Sequence, residues 1–307
     1  MESLQRHAAE SRQSDAPVSV PAPETGGSDL LKILYREDLR FGDDRFGGKT
    51  VHASSLSKLP RCARMFYLGN YMREQGMTFP SSTFGAMKLV WAYGRAAEKH
   101  VRETLLKDPE MRRSAYGIWR CMCKTTQSRG HLPITPAVCP NCKSRADVYD
   151  EPTLVDRLRG ISGNPDFMYL QGARYRVVEI KSIKAEGNAS NPGFKELEQP
   201  IPGHIEQGTH YIRLYENEGM AVHPVPYILY VKKEFDPRKW YKLLIPSDAQ
   251  MARAREDVEA TRAVAQRYTE ARHSGVLPAR LPECVHDREC QRKKCPVWME
   301  CMSRGTE

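Results

Sequence analysis

One stretch limits the choice of fold more than any other: residues 175–183, YRVVEIKSI. Val177, Val178 and Ile180 make it read as a buried strand, yet it carries Glu179 and Lys181. Side chains two apart on a strand share a face, so Glu179 and Lys181 project together while Val178, Ile180 and Ser182 face the other way. A bare E-x-K is common on solvated strands; the apolar neighbours single this one out, because a buried charge pair is costly without a role. Just upstream, Gly163-Asn164-Pro165 reads as a turn into a strand at 166–170. A hairpin between the two strands would bring Asp166 beside Glu179.

The surrounding pattern is α/β from Thr153 onward. Residues 154–161 alternate and predict a strand, as do 227–232 and 240–245. Residues 204–218 predict a helix closed by Gly219. Residues 247–274 predict another, opened by a capping box of Ser247 and Gln250 and ended at Gly275. Residues 185–203 read as a polar loop. Nearer the N-terminus, 54–68 and 81–106 read as helices, the second with Gly85 and Gly94 for close packing. The expected fold is a mixed central sheet flanked by helices. Residues 1–29, rich in Ser, Pro, Ala, Gly and Glu, read as a disordered tail.

The net charge of +9 favours a polyanionic partner, nucleic acid being the commonest. No stretch has the length and apolarity of a membrane span, and residues 1–29 lack the apolar segment of a secretory signal. The expected location is the cytoplasm, where nine cysteines argue for metal rather than disulfides.

Asp166 and Glu179 on neighbouring strands can hold Mg²⁺ or Mn²⁺, which prefer oxygen ligands. Such an ion polarises a phosphate and lowers the pKa of a bound water, and Lys181 can orient that water and stabilise developing charge. Gly163-Asn164-Pro165-Asp166, then Glu179-Ile180-Lys181, then Gln207-Gly208-Thr209-His210-Tyr211 stand in that order. In this order they resemble the G-x-x-D, E-x-K and Q-x-x-x-Y motifs of the RecB-like branch of the PD-(D/E)XK nucleases, over roughly residues 51–301. The resemblance implies a restriction-endonuclease-like core within residues 30–301. It implies Mg²⁺- or Mn²⁺-dependent hydrolysis of DNA, single-stranded or at duplex ends, by an exonuclease of recombination, repair or phage DNA metabolism, with a recombination protein as a possible partner. Gln207 and Tyr211, four apart on one helical face, would position substrate or Lys181. The family's further ligand, four residues after a glycine on an early helix, falls on Glu98 after Gly94. His100 is the alternative, but it lies about 200° farther round the helix, so only one of the two can face the metal.

Some members of that family, CRISPR-associated and AddB-type proteins among them, hold a [4Fe–4S] cluster with one cysteine before the nuclease core and three after it. The resemblance gives these parts to Cys62 and to three of Cys284, Cys290, Cys295 and Cys301 in the segment 278–301, with Cys284 and Cys290 competing for one place. The other reading is a Zn²⁺ site of the four C-terminal cysteines with Cys62 a core thiol. Cys121, Cys123, Cys139 and Cys142 form two close pairs suited to tetrahedral Zn²⁺ in an inserted ribbon at 117–150. That ribbon either grips nucleic acid with its basic residues or only staples the fold. Two other functions stay open: a non-cleaving nucleic-acid-binding accessory protein on the same fold, and CRISPR spacer processing with a partner integrase. No motif reports an oligomeric state.

Overall fold

The computed structural model describes residues 51–53, 62–75, 85–187, 192–233, 241–280 and 298–304. All of these belong to one compact unit, Arg45–Glu307. The tail expected at 1–29 and the first part of the helix expected at 54–68 lie outside the described residues.

In chain order the elements are β1 (Val51–His52), α1 (Ala63–Glu74), α2 (Gly85–Leu105), α3 (Pro109–Ser114), β2 (Tyr116–Arg120), β3 (Gln127–His131), β4 (Val148–Asp150), β5 (Leu154–Asp156) and β6 (Ile161–Gly163). There follow β7 (Phe167–Gln171), β8 (Arg174–Ile183), α4 (Pro202–Asn217), β9 (Tyr227–Lys232), β10 (Tyr241–Leu244), α5 (Asp248–Ser274) and α6 (Trp298–Ser303). The fold is mixed α/β. Its main sheet runs β10-β9-β8-β7, with β8 parallel to β9 and antiparallel to β7. A smaller sheet, β1-β6-β5, lies beside it, and β3-β2-β4 form a third.

β8 separates two apolar layers. Val177 packs with Tyr211, Ile212 and Tyr215 of α4 and with Val264, Ala265 and Tyr268 of α5. Val178 and Ile180 face the opposite layer with Val101 of α2, Trp119 of β2 and Phe167. Alternation along one strand thus sorts its neighbours onto two sides. α5 begins with the capping box of Ser247 and Gln250 and ends on Gly275 at φ 73°, the left-handed cap that glycine adopts without a Cβ penalty.

Two expectations need correction. Residues 154–161 are not one strand but the beginnings of a β5–β6 hairpin. Asp156 Oδ1 accepts the N–H of Arg159, and Gly160 turns at φ 62°, so the alternating pattern ran through a turn. The loop at 185–203 is not wholly polar in its packing: Phe194 and Leu197 are buried against Ile228 and Tyr230.

Candidate active site

β8 outruns β7. Residues 174–178 pair with β7, whereas 179–183 keep β9 alone as their described neighbour. The sheet therefore has an open edge beside Glu179 and Lys181. Asp166 stands where β7 begins, one step beyond the Phe167–Val178 pair, and its Oδ2 accepts the backbone N–H of Ile180 at 2.7 Å. Glu179 is fully buried. The Lys181 ammonium closes on its Oε1, while Oε2 meets no hydrogen-bond donor among the described residues.

α2 crosses the other face of β8 at Gly94, where a Cβ would lie 3.1 Å from the Ser182 hydroxyl. One turn later comes Glu98, half-buried; His100 points to solvent. Of these two it is Glu98 whose carboxyl feels the centre: burial, then the Asp166 carboxylate, push it up to about 7. Burial and Asp166 likewise hold Glu179 well above the usual carboxylate range, against the pull of Lys181. Burial alone would lower Lys181, but Glu179, Asp166 and Glu98 outweigh it and keep the ammonium protonated above its ordinary value.

Gln207 and Tyr211 approach from α4, both buried, and the Gln207 amide donates to the Tyr211 hydroxyl at 2.8 Å. Burial, then Glu179 and Asp166, raise the tyrosine well above its usual value, so its hydroxyl stays neutral. Gly163 admits the ring: a Cβ there would sit 2.6 Å from it.

The sequence reading missed two residues. Glu151, just after β4, is pushed up to about 7 by burial and then by Asp166. It pairs with Arg102, which also donates to the backbone carbonyl of Asp166 at 3.2 Å. Arg102 follows Glu98 by four positions, a spacing that shares a helical face and was there to be read. Glu151 had no such signal, being a lone acid between the cysteine segment and a strand. Four carboxyls thus gather about Lys181 and Arg102. A buried acceptor without a donor is costly, and carboxylate oxygens are what Mg²⁺ and Mn²⁺ bind, so the donor set fits such an ion.

The thiols of Cys121, Cys123, Cys139 and Cys142 converge separately, all within 4.8 Å of one another. Among the described residues they are the one set of Cys, His, Asp and Glu ligand atoms so close, and the carboxylates are spread more widely. Cys123 lies 3.5 Å from both Cys121 and Cys139, near the ~3.8 Å edge of a tetrahedron with 2.3 Å metal–sulfur bonds. The two halves repeat one backbone motif. Lys124 N–H donates to Cys121 and Lys143 N–H to Cys139, while Cys121 N–H donates to Thr126 and Cys139 N–H to Ser144. Hydrogen bonds, the Ser144 hydroxyl first, draw the Cys142 thiol down to about 5, towards the thiolate a metal binds. Elsewhere, Cys62 and Cys301 pack on one small cluster around Met65 and Leu68. Cys284, Cys290 and Cys295 lie outside the described residues.

No described helix is long and apolar enough to cross a membrane. The chain matches no protein-family model and no curated protein. Among solved structures it is similar to an alkaline exonuclease, LHK-Exo, from Laribacter hongkongensis, at 16% identity and a TM-score of 0.36, over 75% of this chain and 95% of that one. A score that low establishes neither a shared fold nor a shared activity.

Proposed function

We propose that the chain is a metal-dependent DNA nuclease, working as an exonuclease, with Asp166, Glu179 and Glu98 as ligands of the catalytic ion. The observation that carries this is Glu179: fully buried, level with Asp166, neighboured by the Lys181 ammonium and left with a donor-free oxygen. A Mg²⁺ or Mn²⁺ ion bound there would neutralise a phosphoryl oxygen and acidify a water. Lys181, held protonated, is placed to donate to the attacking water or to charge developing on the phosphate. Tyr211, its oxygen fixed by Gln207, offers a neutral hydroxyl to the substrate or to Lys181. Arg102 and Glu151 act through Asp166 and are positioning residues.

The same reading places structural Zn²⁺ on the thiols of Cys121, Cys123, Cys139 and Cys142, in an insertion at 117–150 of a nuclease domain spanning 30–301. It gives a [4Fe–4S] cluster to Cys62 with three of Cys284, Cys290, Cys295 and Cys301. The shared cluster under Cys62 and Cys301 supports that, because it puts the start of α1 beside α6.

The test is cleavage of end-labelled single- and double-stranded DNA by anaerobically purified protein, with Mn²⁺ or EDTA, beside Lys181→Ala. Cleavage should need Mn²⁺ and fall by roughly 10²–10³ or more in the variant, with DNA binding kept. The product ladder gives the polarity. Protein that retains iron and zinc but cleaves nothing would sink the proposal in favour of a binding module.

A further inference from the structure

We infer that the cysteine module is a clamp for the phosphate backbone of a polynucleotide, held by Lys124, Lys143 and Arg145. This rests on the nuclease reading for what happens at the carboxylates and adds a second, non-catalytic contact away from them.

From Met111 to Ala146 the sequence carries seven Lys and Arg and no Asp or Glu. Three of the four near the base of the module are spent on the protein itself, Arg113 on α3 being exposed: Arg112 pairs with Asp147, Arg120 with Asp150, and Arg129 with Glu218 at the end of α4. Lys124, Lys143 and Arg145, beside the thiols, are exposed and meet no carboxylate among the described residues. Four thiolates around one Zn²⁺ would leave a charge of about −2 beside these three cations, so the tip keeps a positive balance that an anion from outside can meet.

Conformation points the same way. Lys124 and Lys143 each follow the second cysteine of a pair, and each adopts the left-handed backbone, φ 63° and φ 60°. Glycine or asparagine suits that conformation better, yet both positions carry a lysine. Met122, whose N–H donates to the Ser144 hydroxyl, and Val138, bridged to Arg145, are 70% and 60% exposed, apolar surface that sugars can lie against. The module is a fixed arm rather than a loose one: His131 meets Ala115 and the Tyr175 hydroxyl, and Tyr116 packs on Tyr175 and Tyr215.

The reach is bounded by the chain. Glu151 lies eight positions after Lys143, at most about 28 Å fully extended. At 3.4 Å per step along a strand of duplex, the clamp grips phosphates within about eight base pairs of the scissile bond.

The experiment measures DNA affinity against salt concentration for the full-length protein, in buffer free of Mg²⁺, Mn²⁺ and chelator, with zinc content checked. Wild type is compared with the triple variant Lys124→Gln/Lys143→Gln/Arg145→Gln. A charge-matched control on exposed α5 positions is Arg253→Gln/Arg255→Gln/Arg267→Gln. The log–log salt slope should fall by about 2 to 3 in the module variant, near one per cation, and by less than 1 in the control. With Mn²⁺ added, the module variant should raise KM about tenfold and keep kcat within twofold. Both effects should be complete on duplexes that run more than about eight base pairs past the cleavage point and should shrink as the duplex is shortened within that span. Equal slopes in wild type and module variant, or an equal fall in the control, overturn the clamp. Wild type that cleaves while the slopes agree removes the clamp alone; wild type that binds DNA but never cleaves removes the nuclease reading alone.

Discussion

The carboxylate centre and the cysteine quartet are both proposed to hold a cation, and they stand to the fold in opposite ways. Glu179 sits on a strand paired on the β9 side and packed between two apolar layers; that packing holds the acids in place whether or not an ion is there. Around the thiols, Cys121, Cys139 and Ala146 are buried, but most residues from 121 to 145 are half-exposed or exposed. Little apolar burial is available to hold that region, so a bound metal has to. On the proposed reading, in one region the protein holds the metal site; in the other the metal holds the protein. A site of the first kind can lose its ion and keep its shape, which exchange with substrate requires. One of the second kind cannot.

The sharpest attempt to break this contrast is Cys121→Ser. If metal binding is local folding energy, amide exchange across residues 121–146 should speed up at least about a thousandfold, while β8 and β9 stay protected. Protection unchanged in the module would erase the distinction. For the carboxylates the corresponding test is pH. Glu98 and Glu151 have folded values near 7 against an ordinary 4.5, so the folded state keeps protons that the unfolded chain releases. Their stabilising contribution is full below about pH 4.5 and is lost as pH rises to about 7. Metal-free protein should therefore weaken across that window, by on the order of 2 kcal/mol per group, and saturating Mn²⁺ should flatten the slope. Thermal unfolding at a series of pH values decides; a rise in stability over that range contradicts the charge excess.

Smaller effects refine the picture. Glu151→Ala frees Arg102 from its carboxylate partner and should weaken Mn²⁺ affinity about tenfold, as loss of an outer partner commonly does. Glu151→Gln, which keeps an acceptor, should lose less; titration of the Mn²⁺ paramagnetic signal measures both. Gly163→Ala drives a methyl into the Tyr211 ring and should cost about 1–3 kcal/mol. Gly94→Ala meets only the rotatable Ser182 hydroxyl and gains up to about 1 kcal/mol of helix propensity, so urea unfolding should find it close to wild type.

What could be read from the sequence was whatever depends on neighbours along the chain. β9 and the span of α5 show in local periodicity and caps, and Asp166, Glu179 and Lys181 could be grouped because one hairpin joins them. Glu151 could not, since its place beside Asp166 depends on β4 pairing with β2 across the whole cysteine segment. α1 was expected to end at Leu68 but continues to Glu74. Asn70, a residue that usually favours a break, donates instead to the Tyr268 hydroxyl on α5, and Glu74 pairs with Arg272 there. Tertiary partners 198 positions away overrode a local preference.

β3 folds back on β2 and touches Tyr175 and Glu218 through His131 and Arg129, and Val148 rejoins β2 opposite Arg120, so residues 133–146 leave the body and return to it as one loop. To everything beyond that stem the segment is a hairpin loop whose length goes unnoticed. Lineages can therefore enlarge, trim or replace it without shifting the register that delivers Glu151. The helix bearing Gly94, Glu98 and Arg102 has no such freedom: one residue added or deleted among them turns part of the set about 100° away from its targets.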